Sequence, residues 1–349
     1  MVAVIDILAA NAEKTEQQGR PAAESVRAAR EAGVFAMGTP AAYGGSAATA
    51  TRVAEVLTRM GRACPSTAWI TGTCLTAKVL VAGPIGYTEP ARAIAFADPD
   101  ALFCGTGRPE GRGERTPGGI RVTGRWNIIS GCEDADWASL ALMVDGTFSN
   151  VLIPTSDLSV EPTWDMAGMR GTGSHTVVAD GVLVDPALVA PFTPPSLAAR
   201  QLFGITVLAP LVGATFGALD RIGAMFASDR KPFMTAYARM GDSPGARQWL
   251  AEATTLTERA ERTMLAVAAE VDREPGLDER AGRRLHLNLF EAARDCRDAL
   301  DRMLDLHGAS GFRTSNPLQR LWRDVAVGSR HPHLTGYLAT EGYGQLLAG

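Results

Sequence analysis

Two histidines near the end of the chain, His331 and His333, are the residues best suited to proton transfer. Histidine titrates near neutral pH, and small changes in its surroundings move its charge across the working range. The segment before them, 317–325, predicts a helix that opens with Pro317, because its leucines, tryptophan and valine recur at helical spacing. We expect this helix to reach His331, where the negative end of the helix dipole would favour a protonated imidazole.

A purely structural role fits the same segment. Arg323 and Asp324 can form a salt bridge on a bundle helix or hold a subunit contact, and both histidines can be solvated. A metal site built from His331 and His333 is disfavoured, because no acidic or cysteine partner stands nearby at ligand spacing. We therefore predict no metal, with His331 as the first choice for proton transfer and His333 as its substitute.

Composition restricts the classes of protein. The net charge of −4 is spread along 349 residues, so no basic face for nucleic acid is indicated. No apolar run comes near the roughly 18 residues that span a membrane, and the amino terminus lacks a signal pattern. The five cysteines have no CxxC spacing, which indicates buried small side chains, with a catalytic cysteine as the lesser alternative. We expect a soluble, cytoplasmic protein.

Three regions must position these residues. Residues 1–100 predict an all-helical domain, with helices over 2–12, 22–32, 49–61 and 65–81. Period-two alternation at 120–126 and three further strand-length runs predict a compact β domain over 101–192. Residues 193–349 predict an antiparallel four-helix bundle, with helices over 197–227, 244–273, 277–310 and 317–331.

The middle region contains a run of closely spaced glycines. Its members could approach a phosphate closely, and they are Gly105, Gly107, Gly111 and Gly113. We place them in a loop of the β domain. A dinucleotide fingerprint requires glycines between a strand and a helix, so we reject a Rossmann interpretation.

The order of these regions resembles the acyl-CoA dehydrogenase fold, which is mainly α with a middle β-barrel and a C-terminal four-helix bundle. Local segments are similar to the two-component, flavin-dependent monooxygenase branch of that superfamily. They are GTPAAYGG at 38–45, CPSTAW at 64–69, GRWNIISG at 124–131, GMRGTGS at 168–174, and the stretch from LHGASGF at 306–312 through PLQRLWRD to His331. Each is weak alone, but five in the right order are specific.

The resemblance implies a flavin site in the middle region. A flavin needs an apolar slot for its ring and hydrogen-bond partners at its N5 edge and carbonyls. Trp126, Ile128 and Ile129 can supply an aromatic wall and backbone amides, and by resemblance Ser130 hydrogen-bonds N5. An ordinary turn serine fits the sequence at Ser130 equally well.

Further flavin contacts follow from the resemblance alone. Arg170 and Ser174 lie in the segment that is similar to the family's cofactor-binding loop. Gly308 and Gly311 would allow the flavin tail of a neighbouring subunit to approach, which implies a homotetramer. A simple turn between helices also accounts for both glycines.

One departure weakens the resemblance. It implies a second histidine on the helix after 64–69, yet residues 70–78 contain none. Cys74 or Thr76 can border the pocket instead, although a role in helix packing is the stronger interpretation for both.

Three functions remain at this point. The first is a monooxygenase that takes reduced FMN or FAD from a separate flavin reductase and oxidises an aromatic or polyketide-like substrate, with His331 either deprotonating a phenol or donating a proton to the departing oxygen. The second is a flavin dehydrogenase or oxidase acting on an acyl thioester; this needs a carboxylate base, for which Glu341 is a displaced candidate. The third is a non-catalytic scaffold, supported only by the missing histidine.

Overall fold

The computed structural model describes residues 1–83, 85–274 and 276–348. Its first part is helical, as predicted. Thr49 caps the third of these helices by accepting a hydrogen bond from the Arg52 amide, and Pro65 opens the fourth. The helices are α1 (Val2–Gln18), α2 (Ala23–Glu31), α3 (Ala50–Ala63), α4 (Pro65–Ala82) and α5 (Glu89–Ala95). The sequence analysis did not identify α5.

The middle region forms one seven-stranded sheet in the order β5-β6-β2-β1-β3-β4-β7. Strands β1 and β3 are parallel, and the other neighbours are antiparallel. The strand order begins and ends with the three-residue strands β5 and β7. The strands are β1 (Phe103–Thr116), β2 (Gly119–Ile129), β3 (Trp137–Val144), β4 (Thr147–Pro154), β5 (Ser159–Glu161), β6 (His175–Val184) and β7 (Val189–Pro191).

The glycine run was placed wrongly in a loop, because all four glycines belong to β1. At Gly111 the physical reason is close packing inside the sheet. A Cβ atom on Gly111 would overlap the indole of Trp126, lying 2.8 Å from its Cη2 atom. Glycine is therefore required here by a buried aromatic neighbour and not by a phosphate.

The last part contains five helices, one more than predicted. They are α6 (Leu197–Phe226), α7 (Pro244–Arg273), α8 (Glu279–His307), α9 (Pro317–Gly328) and α10 (Gly336–Ala348). Helix α9 ends at Gly328, three residues earlier than expected, and His331 instead caps a short 3-10 turn at Pro332–Leu334. The domain boundaries at 100 and 192 stay a prediction.

Helix α6 is the central element of the helical core. It is long and apolar enough to cross a membrane, contrary to our statement that no such run exists, and its most apolar window has a mean hydropathy of 1.9. However, 83% of that window is buried inside the protein. Its apolar character therefore fits a core helix packed among α3, α4, α7, α8 and α9.

Candidate active site

The hydroxyl of Ser130 and the imidazole of His331 meet on one side chain, Trp69 of α4. The Trp69 Nε1–H donates to Ser130 Oγ at 3.3 Å. The indole and the His331 ring pack edge to face, with centroids 5.5 Å apart and an interplanar angle of 76°. Residues about two hundred positions apart, one from the sheet and one from the region after α9, are thereby brought together.

Trp69 is the site residue that sequence reasoning missed. In the sequence it belongs to the 64–69 segment, which resembles the family but predicts no role for this tryptophan. Its side chain is 7% exposed, yet its single polar atom points at a hydroxyl instead of a main-chain carbonyl. A tryptophan on an apolar helix carries no sequence signal for such a contact.

A chain of hydroxyl groups fixes where the proton of Ser130 lies. Thr172 Oγ1 lies 2.8 Å from the Met169 carbonyl oxygen, and with its proton directed there the Thr172 oxygen is left to accept. Ser174 Oγ lies 2.7 Å from Thr172 Oγ1 and must donate to it. Ser130 Oγ lies 2.8 Å from Ser174 Oγ and must in turn donate to Ser174. Because Ser130 also accepts from Trp69, it retains one lone pair and no free proton for a ligand.

His331 does not have the charge that we expected. Burial, followed by the effect of the neighbouring His333, lowers its pKa to about 3. The prediction of a protonated imidazole is therefore wrong. The dipole argument fails because α9 ends at Gly328, and because the ring is packed against Trp69 and His333 instead of lying in solvent.

His333 lies beside His331, with ring centroids 5.3 Å apart. Burial lowers its pKa to about 4, with smaller effects of His286 and Arg200 in the same direction. Its ring also packs against Phe203 of α6 at a centroid distance of 6.0 Å. The site is thus lined by neutral imidazoles and aromatic rings.

The predicted aromatic wall is not where we placed it. Trp126 is fully buried in the sheet, where its Nε1–H donates to the Ala141 carbonyl at 2.7 Å. Ile129 is also fully buried. Only Ile128 points outward, 58% exposed and with a left-handed φ of 62°. Regular alternation would place Ile128 on the same face as Trp126, but the pairing of β2 with β6 has a register shift between Trp126 and Ile129. This irregularity, with the left-handed backbone of Ile128, turns the Ile128 side chain outward.

The other predicted cofactor residues divide into two groups. Ser174 forms a hydrogen bond with Ser130. Arg170 is exposed, and its Nε atom lies 3.9 Å from Oε1 of Glu16 in α1. Gly308 and Gly311 are in the turn before α9, and the twelve-residue length of α9 separates that turn from His331 by about 18 Å. Gly308 has a φ of 71° and faces open space.

The two substitutes for the missing histidine serve packing. Thr76 Oγ1 lies 2.9 Å from Thr206 Oγ1 and joins α4 to α6. Cys74 is buried, its Sγ accepts from the Phe103 amide at 3.2 Å, and burial raises the pKa of its thiol. All five cysteines are buried and free, as predicted.

An open cleft lies elsewhere, at the far end of α4. Its volume is about 570 Å³ and its wall includes Val79, Ala82 and Ala199. These side chains are small and apolar, whereas Ser130 and His331 both contact Trp69. We therefore assign the chemistry to the Trp69 end of α4.

Arg323 and Asp324 do not pair with each other. Arg323 donates to Glu16 of α1 at 2.8 Å, and Asp324 Oδ1 accepts from the Met169 amide at 2.6 Å. Both residues therefore tie α9 to other parts of the chain, where we expected bundle or subunit contacts. The Asp324 bond holds the same Met169 whose carbonyl anchors the hydroxyl chain.

The pH dependence of stability tests the position of Asp324. Burial, followed by the nearby Glu16, raises its pKa to about 7. The folded state then holds a proton that the unfolded state releases near pH 4, so the free energy of unfolding should fall as pH rises from about 4 to about 7. Asp324→Asn can still accept from Met169 and should be the more stable protein at about pH 8, by a few kcal/mol, but not at about pH 4. Urea unfolding of both proteins across this range measures the difference; parallel curves would contradict the expectation.

Two family models match the chain. The one described as Acyl-CoA dehydrogenase, N-terminal domain, matches residues 4–85, and the one described as Acyl-CoA dehydrogenase, C-terminal domain, matches residues 205–335. The two matches lie on either side of the sheet.

Individual proteins are similar over nearly the full length. The FADH(2)-dependent resorcinol hydroxylase, oxygenase component, of Rhizobium sp. is 30% identical across 94% of this chain and 88% of its own. Pigment production hydroxylase of Rhodococcus sp. is 31% identical across 98% of this chain and 94% of its own. Among solved structures, XiaF from Streptomyces sp., in complex with FADH2 and glycerol, has a TM-score of 0.92 at 27% identity, covering 99% of this chain and 93% of its own.

Proposed function

This chain belongs to the acyl-CoA dehydrogenase family, and within it we propose that the protein is the oxygenase of a flavin-dependent monooxygenase. It takes reduced FMN or FAD from a separate reductase and oxidises an aromatic or polyketide-like small molecule. The relatives named as hydroxylases and oxygenase components support this function over acyl thioester dehydrogenation. Reduced flavin supplies the oxygen-activating chemistry, and the protein supplies binding, orientation and proton placement.

The observation that carries the proposal is the proton arrangement at Ser130. The N5 atom of a reduced flavin bears a hydrogen and donates, whereas N5 of an oxidised flavin only accepts. Ser130 offers a lone pair and no proton, because its own proton is directed at Ser174. The hydroxyl is therefore suited to the reduced cofactor, with Ile128 as an outward-facing apolar neighbour for the ring.

His331 is the group that we assign to the substrate. It packs against the ring of Trp69, whose Nε1–H donates to Ser130, so a substrate beside it would lie near the flavin edge. Its surroundings, Trp69, His333 and Phe203, are aromatic and uncharged at neutral pH. Such a lining suits a flat aromatic substrate and excludes water from the reacting atoms.

The dehydrogenase alternative has no structural support in its favour. It requires a carboxylate beside the flavin, and the candidate Glu341 lies exposed on α10. The scaffold alternative is disfavoured because Ser130 and His331, the two candidate residues, both contact Trp69.

The proposed function includes an oligomeric state and a cellular location. We propose a homotetramer, supported by exposed apolar side chains that a monomer would leave in water, notably Phe233 at 91%, Met234 at 89% and Tyr337 at 71% exposure. The turn with Gly308 and Gly311 would then receive the flavin tail of a neighbouring subunit. We place the protein in the cytoplasm, where a reductase can supply reduced flavin.

Flavin binding and product analysis test the function. The purified protein should bind photoreduced FMN or FAD in the absence of oxygen, and on addition of oxygen and a phenol such as resorcinol it should transfer one atom of labelled oxygen to the ring. Bleaching of bound oxidised flavin by an acyl-CoA, without labelled product, would favour the dehydrogenase. Failure to bind either form of flavin would favour the interpretation that the protein is a non-catalytic scaffold.

The hydroxyl chain also predicts how a substitution at Ser174 changes flavin binding. Ser174→Ala removes the acceptor for the Ser130 proton, so Ser130 becomes free to donate to N5 of oxidised flavin. We expect the preference for reduced over oxidised flavin, measured as the ratio of the two dissociation constants, to fall about tenfold, the value of one hydrogen bond. Ser156→Ala, an exposed serine after β4, is the control; an unchanged ratio in Ser174→Ala would remove the proton assignment.

A further inference from the structure

The ring of His331 is held in one orientation by the turn that it caps. Its Nδ1 atom accepts a hydrogen bond from the His333 amide at 3.3 Å. Its own amide donates to the Gly328 carbonyl at 3.0 Å, and its carbonyl accepts from the Leu334 amide at 2.7 Å. The main chain on both sides of the ring is therefore fixed, and Trp69 packs against the ring itself.

This hydrogen bond decides which ring nitrogen carries the proton. A neutral imidazole has one N–H and one lone pair. The lone pair is at Nδ1, because a main-chain amide can only donate, so the proton is at Nε2. The ring packs against Trp69 and His333, and burial, followed by the effect of His333, lowers the pKa of His331 to about 3, so the imidazole is neutral at neutral pH.

We propose that His331 acts as a fixed hydrogen-bond donor, through its Nε2–H, to the ionised oxygen of a phenolic substrate, and not as the base that removes the phenol proton. The inference rests on the proposed function for the identity of the substrate, but the tautomer itself does not. Of the two roles that the sequence left open for His331, deprotonation is excluded because Nε2 has no lone pair and Nδ1 is occupied.

The substrate class follows from this assignment. The phenol O–H bond breaks on binding, the electron pair stays on oxygen, and the proton passes to solvent instead of to the protein. A phenolate is the most electron-rich form of the ring and the form best prepared to accept an oxygen atom. The site therefore selects phenols that are acidic enough to ionise in an apolar pocket when the Nε2–H donates to the anion.

Proton release on binding a probe phenol separates the two roles without flavin. The probe is 4-nitrophenol, whose anion is yellow, added to the flavin-free protein at a pH about one unit below the ordinary pKa of the probe, where about nine-tenths of the free probe is protonated. A donor at His331 predicts a yellow complex and release of about one proton per bound probe to a pH indicator, whereas a base would keep that proton on the protein. A yellow complex without proton release would overturn the proposal.

Two substitutions at one position provide the matched comparison. His331→Gln places an amide N–H near the Nε2 position and cannot act as a base, whereas His331→Ala removes the donor as well. We expect the bound 4-nitrophenol of His331→Gln to ionise as in the natural protein, and that of His331→Ala to require a pH about one unit higher, a tenfold weaker hold on the anion. Equal behaviour of the two variants would contradict a donor role.

The tautomer is measured directly by solid-state NMR of protein labelled with nitrogen-15 in its five histidines. The His331 ring, identified by the signal missing from His331→Gln, should carry its proton at Nε2 at neutral pH. His333→Ala keeps the amide donor and should leave this tautomer unchanged. A ring protonated at Nδ1 or at both nitrogens would refute the proposal, whether or not 4-nitrophenol binds and whether or not the protein proves to be a monooxygenase.

Discussion

Replacement of Trp69 by alanine is expected to lower the yield of oxidised product per reduced flavin consumed about 100-fold, with hydrogen peroxide formed in its place. Trp69 is the only side chain shown to contact both Ser130 and His331, by a hydrogen bond to one and by ring packing against the other, within the described chain. Without it the substrate and flavin contacts lose their common support, and water enters between them. Parallel assays of product and hydrogen peroxide measure the effect.

Two further variants keep this prediction specific. Trp69→Phe retains most of the ring and removes only the N–H that donates to Ser130. Its yield of oxidised product per reduced flavin should therefore fall about tenfold, to a value between those of the natural protein and Trp69→Ala. Trp249→Ala removes a tryptophan from the surface of α7, where its ring packs under Arg302, and should leave the product yield unchanged. If Trp69→Ala remains folded by circular dichroism and also keeps its product yield, Trp69 does not join the two groups.

Replacement of Gly168 by alanine is expected to lower the free energy of unfolding by about 3 kcal/mol or more. A Cβ atom there would overlap the carbonyl oxygen of Arg323 and lie 2.9 Å from the amide nitrogen of Asp324, both in the main chain of α9. Main chain cannot turn aside as a flexible side chain can. The substitution must therefore push α9 away from the segment that carries Met169 and the hydroxyl chain.

Urea unfolding measures this loss, with Gly107→Ala as the matched control. A Cβ atom at Gly107 meets open space, so this substitution should change the free energy of unfolding by less than about 1 kcal/mol. Gly168→Ala should also weaken substrate binding, because α9 leads to His331. A Gly168→Ala protein as stable as the Gly107→Ala control would show that α9 and this segment are not held in close contact.

Local pattern was enough to predict most of the helices. The recurring apolar residues of α3, α4, α6, α7 and α8 define one buried face or a fully buried helix, and their caps lie within a few residues of each end. Serine and threonine segments shared with a known family also indicated the flavin chemistry. The short helix α5 and the terminal helix α10 were missed because their patterns are brief or apolar without a clear period.

The sequence by itself determined the order of helical, β and helical regions, the family, and Ser130 and His331 as candidates, because these depend on residue types and on contacts between near neighbours. Only the tertiary structure decided that Trp126 turns into the sheet, that Trp69 stands between the two candidates, and that His331 is neutral. Burial, hydrogen-bond partners and protonation depend on atoms supplied by distant segments. Contacts between distant segments cannot be predicted from the spacing of residues along the chain.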